Sequence, residues 1–190
     1  LVLKIAERHG LLIIEDAAEM HGQTYRERPC GSFGLISTFS FYPNKHITTG
    51  EGGMLVTDDY EVAEHCRRLR NLCFQPGRRF VHEELGWNYR MTNMQAAVGL
   101  AQLESLPRHV ARKREIGDQY QAALQDLDMI ELPIAETEFA KNIYWVFGLV
   151  CRGDAEFESS NITAGLNAQG IGTRPFFYPM HLQPALRRLG

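Results

Sequence analysis

Apolar and polar positions along the chain change period several times, and each change marks an element. Val2, Ile5, Ala6 and His9 share one helical face, and Gly10 follows as a stop. Residues 11–15 form a short continuous apolar run, the pattern of a buried parallel strand, with Asp16 at its C-terminal end. Residues 36–42 are rich in β-branched and aromatic side chains and predict a second strand; residues 53–57 predict a third, followed by a helix over 59–70. This helix-strand-strand-strand-helix order predicts a sheet with helices on its faces. In open sheets of that kind ligands bind beyond the carboxyl ends of the strands, which singles out Asp16.

Residues 78–90 have no clear period and predict a loop. Thr92 followed by Gln95 is a capping box, and Ala96, Ala97, Leu100 and Leu103 continue it as a helix. Pro107 is expected to interrupt that helix, which resumes through Tyr120 and Leu124. Beyond Asp128 the texture changes. Residues 130–133 are extended, 144–150 predict a strand, 160–168 predict a helix closed by Gly170, and 171–176 are extended again. A domain boundary is therefore expected in the region 104–130, giving domains over 1–128 and 129–190.

Charge and composition narrow the class. Twenty Lys and Arg against 23 Asp and Glu give a net charge of −3, which excludes a strongly basic nucleic-acid binder. The arginines clustered over 108–114 are expected on a solvated face. The longest apolar runs, 11–14 and 144–151, are too short to cross a bilayer, and no signal-peptide pattern opens the chain. Cys30, Cys66, Cys73 and Cys151 lack paired CxxC spacing, so no metal site is expected and reduced thiols in a cytoplasmic protein are. The chain starts at Leu1 inside a helical pattern, as a piece of a longer protein would.

Three segments carry candidate chemistry: Glu15-Asp16-Ala17-Ala18-Glu19-Met20-His21-Gly22, Ser40 to His46 with the glycines Gly50, Gly52 and Gly53, and Gly86-Trp87-Asn88-Tyr89-Arg90. Each has an ordinary reading: a capping aspartate, a surface lysine, a glycine turn. The glycines fit neither GxGxxG nor a P-loop. Together they offer more. A lysine among aromatic residues and glycines can be desolvated into an amine nucleophile. A strand-end carboxylate can hold a protonated pyridine nitrogen, and a serine with an asparagine amide can bind phosphate. Those are the requirements of pyridoxal phosphate.

On the motifs EDAAEMHG, FSFYPNKHITTGEGGM and GWNYRMTNMQAA the chain resembles the DegT/DnrJ/EryC1/StrS sugar aminotransferases. The resemblance implies α/β architecture, a fold-type-I pyridoxal-phosphate-dependent transferase. It implies part of the large mixed-sheet domain and part of the small C-terminal α+β domain. Lys45 matches the Schiff-base lysine and Asp16 the carboxylate on the pyridine nitrogen. Ala18 matches the small residue packed on the ring, and Ser40 matches a phosphate ligand. Asn88 matches the asparagine that reaches the neighbouring subunit's cofactor, which implies a homodimer. Glu19 stands where many relatives place Gln against the ring's 3-oxygen; an acid there must share a proton with that oxygen or be held away from it.

The resemblance further implies glutamate as amino donor and a nucleotide-linked 4-keto sugar as acceptor. The ending GIGTRPFFYPMHLQPAL is most similar to members that form GDP-perosamine for surface polysaccharide. Arg174, Phe177 and His181, with Phe176 and Tyr178, are candidates for sugar-nucleotide contact, with Phe176 and Phe177 equally readable as core. Two other readings stay open. Dehydratases of the same fold place His at the lysine position, and a one-residue slip would put His46 there. A noncatalytic fragment would fold and associate without forming a Schiff base.

Overall fold

The computed structural model describes residues 1–75, 77–78, 80–152 and 158–189. Two compact units emerge: Leu1–Asp118 with Ile134–Trp145, and Gln119–Pro133 with Val146–Gly190.

The first unit opens with α1 (Val2–His9). Gly10 ends it in the left-handed region (φ 61°), and its N–H returns to the carbonyls of Ala6 and Glu7. A three-stranded sheet follows, in the order β1 (Ile14–Asp16), β4 (Ile36–Ser40), β5 (Gly53–Val56). β4 runs parallel to β1, with Ile14, Glu15 and Asp16 opposite Ile36, Ser37 and Thr38. β5 runs antiparallel to β4, with Ser40 opposite Gly53. Between β1 and β4 lies a hairpin of β2 (Thr24–Tyr25) and β3 (Arg28–Pro29).

The sequence predicted a buried strand over 11–15, and the structure corrects this. Pairing begins only at Ile14, and Leu11, Leu12 and Ile14 are 60%, 79% and 71% exposed. β1 has one strand neighbour among the described residues, so its other edge has no strand to pair with there.

Helix α2 (Tyr60–Leu69) starts where Asp59 accepts from the Val62 N–H, a cap worth about 1 kcal/mol. The predicted capping box opens α3 (Asn93–Glu104): Thr92 accepts from the Gln95 N–H, and the Gln95 side chain returns to the Thr92 N–H. The expected interruption falls at Ser105, and α4 (Leu106–Leu124) carries Pro107 in its first turn, where no helical N–H partner is lost. The segment 70–75 and 86–89 folds back on the end of α2. The N–H groups of Leu72, Trp87 and Tyr89 donate to the carbonyls of Trp87, Leu69 and Arg70.

A second hairpin, β7 (Glu136–Thr137) with β8 (Ala140–Lys141), also belongs to the first unit. Its neighbouring carbonyl at Phe139 accepts from the Arg26 N–H. Of the strand predicted over 144–150 only Val150 pairs, with Glu131. Tyr144 takes a positive φ of 46°, its N–H donates to Asn142 Oδ1, and its buried ring lies against Gly117. A Cβ at Gly117 would stand 2.3 Å from that ring, so α4 needs a glycine at this approach. Arg114 is likewise not a solvated surface charge: its guanidinium donates to the carbonyls of Asn142 and Lys141.

The second unit pairs β6 (Ile130–Glu131) with β9 (Val150–Cys151) in antiparallel fashion and adds α5 (Ser159–Ala168). Gly170 (φ 77°) turns the chain out of α5. A short 3-10 turn, Met180–Leu182, and α6 (Pro184–Arg187) follow. No described helix is long and apolar enough to cross a membrane.

Glu15 stitches the sheet to the segment that feeds β4. Its half-buried carboxylate accepts from the N–H groups of Gly31 (2.5 Å) and Phe33 (2.8 Å) and from the Ser37 hydroxyl (3.4 Å). Replacing it strands two backbone donors, so Glu15→Ala should destabilise the protein by about 3 kcal/mol in urea unfolding. A shift below about 1 kcal/mol would contradict this role.

Candidate active site

Parallel pairing points the C-terminal ends of β1 and β4 to the same edge of the sheet, and the candidate residues follow those ends. Asp16 is the last residue of β1. Its Oδ1 accepts from the Ala18 N–H at 3.0 Å and from the Thr38 hydroxyl at 3.4 Å. Its Oδ2 takes no hydrogen bond among the described residues, and the residue is exposed. The carboxylate is therefore oriented through one oxygen and open through the other. Ala17 is fully buried and donates to the Thr38 carbonyl at 2.9 Å, which pins the turn carrying Ala18 and Glu19.

Ser40 ends β4, and its Oγ accepts from the Tyr42 N–H at 3.3 Å. The loop from there to β5 is densely tied. Phe41 N–H donates to Gly52, Lys45 N–H to Tyr42 and Thr49 N–H to Phe41. The Thr48 hydroxyl donates to the Phe41 carbonyl at 2.6 Å, and the Thr48 N–H reaches Gln102 on α3 at 3.0 Å. Gly52 closes the loop at φ 136°, a backbone state that an L side chain rarely adopts.

Lys45 projects from this loop with its side chain only 9% exposed. Its Nζ donates to Glu19 Oε1 at 3.0 Å. The Trp145 ring lies beneath it, 4.1 Å from Nζ to centroid, and the indole N–H donates to the Asn44 carbonyl at 3.1 Å. The structure thus holds Glu19 on the lysine amine. His46, the neighbour that a one-residue slip would substitute, is turned the other way. It is buried, and its Nε2 bonds the Ile143 carbonyl at 3.0 Å.

His21 lies near the lysine but is not part of the polar cluster. It is 4% exposed, packed against the rings of Phe39 and Phe41, and neither ring nitrogen has a hydrogen-bond partner. It borders an apolar cavity of about 460 Å³ between the sheet and α3. Burial, with the nearby His46 and Lys45, lowers its pKa to about 4. His46 is also lowered, by burial above all; the Ile143 carbonyl opposes this and the Lys113 and His109 charges add to it.

Asn88 stands in the loop bridged to Asn71, exposed, with its Oδ1 accepting from Arg90 Nε at 2.9 Å. That contact fixes the orientation of the amide. Arg174, Phe177 and His181 belong to the second unit. Arg174 donates to the Thr173 carbonyl, and all three are exposed. Phe176 and Phe177 are 62% and 75% exposed and meet edge to face, so they are not core. Sequence reasoning missed Thr38 and Trp145. Thr38 is readable only once Asp16 is set opposite it. Trp145 sits in an apolar run with no spacing that ties it to Lys45.

The donor set fits pyridoxal phosphate. It offers a shielded lysine amine, a carboxylate with one open oxygen, a small residue between them in sequence, and a hydroxyl at the adjoining strand end. On an α/β sheet these are the groups that a pyridoxal-phosphate site of fold type I requires.

The comparisons with known proteins agree. The DegT/DnrJ/EryC1/StrS aminotransferase family matches residues 1–190, and the chain belongs to that family. It is 42% identical over 190 residues to the GDP-perosamine synthase of Caulobacter vibrioides, covering 99% of this chain and 51% of that protein. The solved structure of S. venezuelae DesV in complex with a ketimine intermediate matches with a TM-score of 0.86 at 35% identity, over 98% of this chain and 49% of that one. The E. coli GDP-4-keto-6-deoxy-D-mannose-3-dehydratase with bound hydrated PLP matches with a TM-score of 0.84 at 25% identity, covering 98% and 51%. The chain spans about half the length of the relatives it matches.

His21 gives a pH signature with a definite sign. Its folded pKa of about 4 lies below the 6.5 of a free imidazole. Above pH 6.5 both states are neutral and the group is without effect. Between 6.5 and 4 the unfolded chain takes up the proton first, so stability falls as pH falls. His21→Leu should make the decline in unfolding free energy over that range shallower in urea titrations. An unchanged slope would contradict the assignment.

Proposed function

We propose that this chain is part of an enzyme that moves an amino group from glutamate to a 4-keto-6-deoxy sugar carried on a nucleotide diphosphate. GDP is the favoured nucleotide and GDP-perosamine the favoured product, formed in the cytoplasm for a surface polysaccharide. The observation that carries the reading is the shielded Lys45 amine, held on Glu19 three residues after Asp16 at the end of β1. The 42% identity to a GDP-perosamine synthase supports the choice of sugar.

Bound pyridoxal phosphate supplies an electron sink for charge that develops at the amino donor's α-carbon. Lys45 would hold it covalently through Nζ and, when free, would carry a proton at that nitrogen. Asp16, with Oδ1 held by Ala18 and Thr38, keeps Oδ2 for the ring nitrogen's proton. Ala18 would present only a methyl group to the ring. The Ser40 hydroxyl would bind the phosphate on its own subunit, and Asn88 would offer its amide N–H₂ to the phosphate across a homodimer interface. Arg174 suits a diphosphate, Phe177 a sugar or base face, and His181 a sugar hydroxyl.

The dehydratase reading requires histidine in the lysine's place. His46 is occupied with the Ile143 carbonyl, so Lys45 is the residue that faces the cluster. This favours amination.

The test is turnover of GDP-4-keto-6-deoxymannose with glutamate by the complete protein. Wild type should form the amino sugar and 2-oxoglutarate, and Lys45→Ala should lower kcat by at least about 10³-fold. Near-normal amination by that variant would contradict the reading.

A further inference from the structure

Lys45 is held by more than its acidic partner. An ammonium has three donors and no acceptor, so one carboxylate alone leaves it free to swing on a four-carbon stem. Here the swing is blocked. Glu19 Oε1 stands 3.0 Å from Nζ, and the Trp145 ring centroid stands 4.1 Å from it. The ring is itself fixed, because the indole N–H donates to the carbonyl of Asn44, the residue immediately before the lysine. Trp145 is thus anchored to the same loop whose side chain it covers. It lies a hundred residues along the chain, just beyond the buried pair Ile143 and Tyr144, which fix the approach of this segment. The result is a lysine with its side chain only 9% exposed in a site whose Asp16 and Asn88 are open.

We infer that Trp145 is a positioning residue for Lys45. Its ring face holds the amine at one place whenever the amine is not covalently engaged. The inference rests on the proposed function, since only a lysine that alternates between bound and free needs such a rest. In this account the attraction between cation and ring, together with the Glu19 carboxylate, sets where the freed amine waits. The indole N–H sets where the ring stands.

The experiment follows formation of the visible Schiff-base band when pyridoxal phosphate is added to the cofactor-free complete protein, together with the visible circular dichroism of the bound group. The variants are Trp145→Leu and Trp145→Phe. Trp145→Leu should slow band formation about fivefold, because the amine is no longer held in one place for attack. It should also weaken the visible dichroism, which reports a fixed orientation and not folding. Trp145→Phe keeps a ring and should recover more than half of both signals. Wild-type rate and dichroism in Trp145→Leu would overturn the inference. So would a Trp145→Phe variant as slow as Trp145→Leu while both melt with wild type. Failure of the proposed function itself would look different: wild type would show no band at all.

Discussion

The site depends on the parallel register of two short strands. Setting Asp16 opposite Thr38 brings the ends of β1 and β4 to one edge, and Asp16, Ser40 and the Lys45 loop follow from those ends. Asp16 takes its orientation from Thr38 and from the turn at Ala18. Ser40 and the lysine loop continue from β4, and β5 closes the loop by pairing Gly53 with Ser40. A slip of one residue would turn Asp16 to the opposite face and exchange Ser37, now buried, with its neighbours. Glu15 guards against that slip, because its carboxylate binds both the incoming segment at Gly31 and Phe33 and the Ser37 hydroxyl on β4.

The chemistry then rests on unequal exposure. Asp16 and Asn88 lie open, whereas Lys45 is covered by Trp145 and paired with Glu19. An exposed ion pair contributes little, but one under an aromatic ring is shielded from water and fixed in place. Histidines nearby take the opposite course. His21 and His46 are buried and biased toward the neutral form, chiefly by burial.

Much of this was legible in the sequence because local chemistry carried it. Asp59 and the Thr92–Gln95 box mark helix starts by their own side chains, and Gly10 and Gly170 mark stops by their φ. Lys45, Asp16, Ser40 and Asn88 stood out through motifs. What was illegible depended on distant partners. The β2–β3 turn places Arg26 and Glu27 at positive φ, where Asn and Gly are the usual signal. The run 144–150 has the composition of a strand, yet packing of Tyr144 on Gly117 holds it in another form. Leu11 and Leu12 read as core and stand exposed, because burial needs a second layer that periodicity alone does not supply. Trp145 was hidden for the same reason: nothing in its local spacing refers to Lys45.

The central claim is that Lys45 is the residue which joins pyridoxal phosphate. The most direct measurement is borohydride reduction of the protein incubated with pyridoxal phosphate, followed by peptide mass spectrometry. The account predicts a single stable pyridoxyl adduct on the peptide containing Lys45. An adduct spread over other lysines such as Lys113 or Lys141, with Lys45 unmodified, would contradict it.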